Sequence, residues 1–281
     1  MEGRTFRSAR ASRPEGRPLH SVICGAVPST PFRDFALELA RTSGEFIRPF
    51  FARADLAVET KADRTIVTAA DRGAERLMRE MIARRFPDHG ILGEEYGPER
   101  IDAEFVWVLD PVDGTVSFAA GVPLFGTLIA LQARGQPVLG IIHQPVLGEL
   151  VIGDDSGTFC NDRPVRCSAT TQLADAMVLS TGIKSVETSR NGPAFFDMVR
   201  RARVYRGWGD CYGYLMVATG RADLMCDPNM NPWDIAALIP VIRGAGGTIT
   251  DWHGRDPVGA DTIVAAATPA LHAEAIAVLN P

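Results

Sequence analysis

The chain lacks any apolar run long enough to cross a bilayer. Its first residues also lack the apolar core of a secretory signal. No membrane partner is expected, and a cytoplasmic protein is. Cysteine is scarce. The five present, Cys24, Cys160, Cys167, Cys211 and Cys226, are odd in number and form no metal-type pair. Such usage fits free thiols in a reducing compartment. The five histidines are scattered, which argues against a His/Cys zinc site. Excess positive charge is missing too. The formal net charge is −5, although residues 1–30 hold five Arg against two Glu, so the remainder carries −8. An acidic body is a poor non-specific nucleic-acid binder, and no nucleic-acid partner is expected. There is no internal repeat.

What is present describes a soluble globular chain. Its 281 residues are 46% hydrophobic and 22% charged, enough to bury one large core or two smaller ones. Residues 1–30 are rich in Arg, Ser, Pro and Gly and read as a flexible extension. A targeting segment or an over-long start would look the same, although Pro14 and Pro18 spoil an amphipathic helix. Thr30 is a good N-cap, with Pro31 at the first helical position. Phe32, Phe35, Ala36, Leu39, Phe46, Ile47 and Phe50 follow at helical spacing. A second helix is expected after Thr68, opened by a capping-box pattern through Asp71.

Strand-like runs come next, at 105–109, 124–131, 137–143 and 148–152, joined by turn-like segments that suggest antiparallel neighbours. Beyond about residue 170 the pattern alternates. Strands are expected at 176–180, 203–206, 222–226, 247–250 and 261–267. Helices are expected at 192–202, 210–219, 233–245 and 269–279. The organisation read from this is an extension over 1–30, an α+β half over 31–170, and an α/β half over 171–281 that completes the site.

Chemistry concentrates in Asp110-Pro111-Val112-Asp113-Gly114-Thr115, which follows the apolar run Phe105–Leu109. Two carboxylates three residues apart suit a hard cation. Backbone N–H groups at Gly114 and Thr115 suit a phosphate, if a helix starts there. A calcium helix-loop-helix needs acids at alternate positions and its glycine sixth; here the second acid is fourth and the glycine fifth. A phosphoaspartate hydrolase would separate its aspartates by one residue. An ordinary Asx-type turn is the plain alternative. Three further acidic sites lie far away in sequence: Gly93-Glu94-Glu95, Asp71, and Asp234 within Asn231-Pro232-Trp233-Asp234. Asp71 and Asp234 could equally cap helices.

Taken together these segments resemble the inositol monophosphatase superfamily. The resemblance runs through Gly93-Glu94-Glu95, Asp110 to Thr115, and Trp233-Asp234-Ile235-Ala236-Ala237, with Gly244 to Gly247 downstream. It covers roughly residues 31–280 in the expected order. Lys61-Ala62-Asp63, Val67-Thr68 and Asp71 resemble an additional upstream motif. Other stretches are most similar to the histidinol-phosphate phosphatase branch: Ser117 to Leu131, Gly140 to Pro145, Gly209 to Tyr214, and Asp234 to Pro240. The resemblance implies alternating helix and sheet layers, with an antiparallel-sheet N-terminal half and a mixed-sheet C-terminal half. It also implies a homodimer and inhibition by lithium.

The activity implied is hydrolysis of L-histidinol phosphate, a small phosphate monoester, for histidine synthesis. An inositol-1-phosphate or related sugar or nucleotide phosphatase is the alternative, and a catalytically silent binding protein is a further one. The resemblance makes Glu94, Asp110, Asp113, Asp234 and the Val112 carbonyl ligands of magnesium, two or three ions in all. Asp71 and Thr115, with Glu94, would orient the attacking water. Physically, carboxylates so close raise one another's pKa until a cation relieves them. Gly114 and Thr115 would bind the phosphoryl group. For the leaving group the candidates are Asp227, seven residues before Asp234, where relatives have Glu, and then Asp210 and Trp208. A helix cap at Asp210 and a core role for Trp208 are their plain alternatives.

Overall fold

A computed structural model describes residues 31–60, 65–184, 186 and 191–281. Thr30, Lys61 and Asp63 lie outside the described residues, as do Cys24 and the Arg-rich extension.

Two long helices open the structure. Helix α1 spans Pro31–Ile47 and passes into a short 3-10 turn, Arg48–Phe50, where Pro49 removes an amide donor. Helix α2 spans Ala69–Arg85 and starts as its sequence suggests: the Thr68 side chain accepts from the Ala70 N–H, and Asp71 closes the capping box. The short strands β1 (Val58–Thr60) and β2 (Ile66–Thr68) pair with each other before it.

Eight further strands form one sheet, in the order β10-β9-β8-β7-β6-β5-β3-β4. They are β3 (Gly90–Gly93), β4 (Gly97–Glu99), β5 (Phe105–Asp113), β6 (Gly126–Ala133), β7 (Gln136–Gln144), β8 (Glu149–Asp154), β9 (Gly157–Cys160) and β10 (Arg163–Pro164). Every pair is antiparallel except β3 with β5, which run parallel. The expected antiparallel sheet therefore carries one parallel pair. A second correction concerns β5. The strand does not end with the apolar run at Leu109; it continues through Asp113, with a register shift between Asp110 and Asp113. Bulges of this kind re-aim side chains next to functional sites.

The second sheet has the order β12-β11-β13-β15-β14. Its strands are β11 (Met177–Leu179), β12 (Val204–Arg206), β13 (Leu224–Pro228), β14 (Thr248–Thr250) and β15 (Thr262–Ala266). It is mixed: β11 is parallel to β12 and β13, while β15 is antiparallel to β13 and β14.

Strand periodicity sorts the core into layers. On one face of the large sheet Trp107, Leu109, Ile129 and Ile141 pack against Phe35, Leu39, Met78 and Ile82 of α1 and α2. On the other face Val108, Leu128, Ala130 and Ile142 meet the helices Asp210–Ala218 and Leu238–Gly244. Those helices also cover Leu179, Met225, Ile263 and Ala265 of the small sheet. The opposite face of that sheet packs Val178, Leu224 and Val264 on the helices Gly192–Arg201 and Pro269–Leu279. The result is the expected alternation of helix and sheet layers. The helix expected over 233–245 is two, Pro232–Ala236 and Leu238–Gly244, with the break at Ala237. Among the described residues no helix is long and apolar enough to cross a membrane, and Cys160, Cys167, Cys211 and Cys226 are free thiols.

Candidate active site

The parallel pairing of β3 and β5 places Gly93 beside Leu109, and the Glu94 N–H donates to the Leu109 carbonyl at 3.1 Å. Glu94 and Asp110 thus leave adjacent strands side by side. Asp110 is buried and accepts the Val112 N–H at 3.1 Å. Asp113 comes from the end of β5, and Asp234 from the first turn of Pro232–Ala236, where the Asn231 N–H donates to it at 2.7 Å. Carboxylate oxygens of Asp110, Asp113 and Asp234 all lie within 4.8 Å of one another.

Burial raises all three carboxyls above their ordinary range, and neighbouring carboxylates raise Asp110 and Asp113 further. For Asp110 those neighbours are Glu94, Asp113 and Asp234; for Asp113 they are Asp210 and Asp234. Asp234 is pushed up to about 6, against hydrogen bonds from Asn231 that pull it down. A divalent cation fits this donor set: oxygen ligands, mutual repulsion, and a span that one ion can bridge. Glu94 stands beside the triad, close enough to Asp110 to raise it.

Asp71 is buried near Glu94, and both the N–H and the hydroxyl of Thr68 donate to its Oδ2. Its Oδ1 is 3.4 Å from the Thr115 hydroxyl, which lies 3.0 Å from the Val112 carbonyl. Asp71 is therefore a helix cap and a neighbour of the cluster at once. Burial raises its pKa, and the charge of Glu94 adds to that. Gly114 sits at φ +85, next to the short helix α3 (Thr115–Ala119), and an added Cβ there would meet Asp210 Oδ2 at 2.9 Å. Glycine is needed for both reasons.

A cavity of about 200 Å³ adjoins the triad. Asp113, Asp210, Asp227 and Asp234 line it, with Thr181 and Tyr214. Asp227 is buried and accepts three hydrogen bonds: from the Thr181 N–H (2.7 Å), the Thr181 hydroxyl (2.9 Å) and the Tyr214 hydroxyl (3.2 Å). Burial still lifts it to about 6. Asp210 opens its helix at φ +52, and its N–H donates to Thr181 Oγ1 at 2.9 Å. Its carboxyl has the Ser117 hydroxyl at 3.4 Å and is pushed up to about 7, by burial first and by Asp227 next.

Trp208 does not line this cavity. The residue is 39% exposed, with the Arg206 guanidinium 6.0 Å from its ring centroid, so it is not core either. Thr181 was not among the sequence candidates, yet it links Asp210 to Asp227. Cys211 was also missed: its N–H donates to Asp113. Both act through the backbone as well as the side chain, and backbone roles leave little mark on residue type.

Known proteins resemble this chain in sequence and in fold. Residues 29–280 match the model of the inositol monophosphatase family. A histidinol-phosphatase from Chlorobaculum parvum is 43% identical over 232 residues, covering 82% of this chain and 89% of the relative. A fructose-1,6-bisphosphatase/inositol-1-monophosphatase from Thermotoga maritima is 32% identical, covering 88% and 95%. Among solved structures, an inositol monophosphatase from Zymomonas mobilis superposes with a TM-score of 0.79 at 34% identity, over 90% of this chain and 100% of that one.

Proposed function

Because the chain belongs to the inositol monophosphatase family, and is thereby a phosphomonoesterase, we propose that it hydrolyses L-histidinol phosphate to L-histidinol and phosphate using magnesium. One observation carries this reading: the triad Asp110, Asp113 and Asp234 adjoins a cavity whose wall includes two more carboxyls, Asp210 and Asp227. The first group suits a phosphate held through cations. The second suits a positively charged leaving group. Similarity to a histidinol-phosphatase at 43% identity supports the same substrate.

In this reading Glu94, Asp110, Asp113, Asp234 and the Val112 carbonyl hold two or three ions. Magnesium bound there supplies charge neutralisation of the phosphate and polarisation of water. The remaining work belongs to the chain. Asp71 accepts a hydrogen bond from the attacking water, helped by Thr115, whose hydroxyl is within reach of both Asp71 and the Val112 carbonyl. The N–H groups of Gly114 and Thr115 serve the phosphoryl oxygens as negative charge builds. Asp210 faces the amine-bearing end of the substrate. Asp227 fixes Thr181, and Thr181 fixes the Asp210 backbone. The protein works as a homodimer in solution and lithium inhibits it.

Phosphate release by the purified protein from histidinol phosphate, inositol-1-phosphate, fructose bisphosphate and adenosine bisphosphate tests the reading. Histidinol phosphate should lead in kcat/KM by about ten- to a hundredfold, the worth of one buried charged hydrogen bond at ~1.5–3 kcal/mol. A lead by inositol-1-phosphate would move the substrate to the uncharged polyols and leave Asp210 without a cation to bind.

A further inference from the structure

We propose that Glu75 is a positioning residue for the metal centre, its buried carboxylate holding the turn that aims Glu94. The inference rests on the metal reading above. Glu75 is fully buried on α2, one helical turn after Asp71. Its Oε2 accepts the Glu95 N–H at 2.7 Å, and its Oε1 accepts the Tyr96 N–H at 3.2 Å. The two amides directly after Glu94 are therefore pinned to one side chain. Arg79, a further turn along, donates from Nε to Glu75 Oε1 at 2.8 Å and also to the Gly97 carbonyl. The turn from Glu94 to Gly97 is tied to α2 at three backbone atoms.

Packing brings the carboxylate close to the turn. A Cβ on Gly93 would lie 2.0 Å from Glu75 Oε1, so the carboxylate sits directly under the turn. A carboxylate offers acceptors on both oxygens, enough for two amides and a guanidinium; a carboxamide offers one oxygen and puts donors where the other stood. A buried charge of this kind is tolerated because Arg79 pairs with it and every oxygen is hydrogen-bonded. Helix α2 thus presents Asp71 at its first turn and sets Glu94 from its second, so the two groups keep one spacing. Groups that orient ligands without touching the ion typically change affinity or activity by about 10–100-fold when removed.

Manganese is the probe, titrated into the full-length, chelator-treated protein and followed by the electron paramagnetic resonance signal of the free ion. Glu75→Gln should weaken manganese binding by about ten- to a hundredfold, and should raise the magnesium concentration for half-maximal activity while much of kcat returns at saturation. Gly93→Ala, which leaves Glu75 in place but crowds it, should shift both in the same direction. A merely structural role would lower the melting temperature and leave the affinity alone. Unchanged manganese affinity in both variants, beside a wild type that binds, overturns the inference whatever happens to the melting temperature. Should Glu75→Gln not fold, Arg79→Lys decides, because it keeps the charge and loses the fork to the Gly97 carbonyl; wild-type affinity there also overturns the inference. A wild type that binds no manganese overturns the metal reading instead.

Discussion

Asp113 and Asp227 line the same cavity, yet their partners differ in kind. Asp113 accepts the Cys211 N–H and otherwise faces Asp210 and Asp234, whose charges push its pKa upward after burial has done so. Asp227 is the more deeply buried of the two, and three donors surround it, two from Thr181 and one from Tyr214. Burying a carboxylate is costly unless something compensates the charge. Around Asp227 the protein supplies that compensation from its own hydrogen bonds. Around Asp110, Asp113 and Asp234 it adds like charge, and a cation resolves the conflict. Asp210 stands between the two, with only a 3.4 Å contact to Ser117 and a pKa of about 7. Three donors around Asp227 mark a carboxylate that braces the wall, and crowding by like charge marks the group that awaits a cation.

The comparison can be broken at either end. The largest effect is expected from chelation, which should abolish phosphate release, with recovery on adding magnesium; full activity in thorough chelation would remove the cation from the argument. Asp110→Asn should lower kcat by about 10³-fold or more while circular dichroism shows a folded protein, since the lost stabilisation is electrostatic and acts in the transition state. A variant near wild-type activity would make Asp110-Pro111-Val112-Asp113 a turn and nothing more.

At the cavity's other end, Asp210→Asn should cut kcat/KM for histidinol phosphate relative to a small neutral-alcohol phosphate by about ten- to a hundredfold, from ~1.5–3 kcal/mol for a buried bond to a charged group. Asp227→Asn should behave differently. It should lower activity on both esters together and reduce stability by ~1–3 kcal/mol, the cost of unpairing buried donors, read as a lower melting temperature. Equal selectivity losses in the two variants would erase the distinction between them.

The smallest effect is the pH dependence of stability without metal. The carboxyls of Asp210, Asp227 and Asp234 are raised from 3.8 to about 7, 6 and 6. Between those limits the folded chain holds protons that the unfolded chain has released, so stability is greatest at the acid end and is lost as pH rises through the raised values. The melting temperature of chelated protein should therefore fall from about pH 4 towards pH 7, and magnesium should flatten that slope. A slope that magnesium leaves unchanged would mean the ion does not neutralise these groups.

Much of the architecture was legible because local chemistry reports it. The 3.6-residue spacing of Phe35, Ala36, Leu39 and Ile47 placed α1, and all four are buried. Thr68 and Asp71 placed the start of α2 through a capping box that forms as read. The layer alternation was implied by the family resemblance, whose motifs also singled out Glu94, Asp110, Asp113 and Asp234. Boundaries were less legible where tertiary pairing overrides local pattern. Leu109 ends the apolar run, but β6 continues beside Asp110 and Asp113 and keeps the chain extended. Ala237 carries no helix-breaking side chain, yet two helices meet there.

Residue order and side-chain type are enough to specify helices, strands and the acidic motifs, because periodicity, capping and turn chemistry act over a few neighbours. Proximity across long stretches of chain is another matter. Glu94 stands beside Asp110 only because β3 runs parallel to β5. Asp234 joins them from a separate helix more than a hundred residues later. The unequal fates of Asp210 and Asp227 depend on Thr181 and Tyr214, and the aim of Glu94 depends on Glu75, whose partners are backbone amides. A pKa, a donor count and a metal-sized gap are properties of what surrounds a carboxylate after folding, and no run of neighbouring residues contains them.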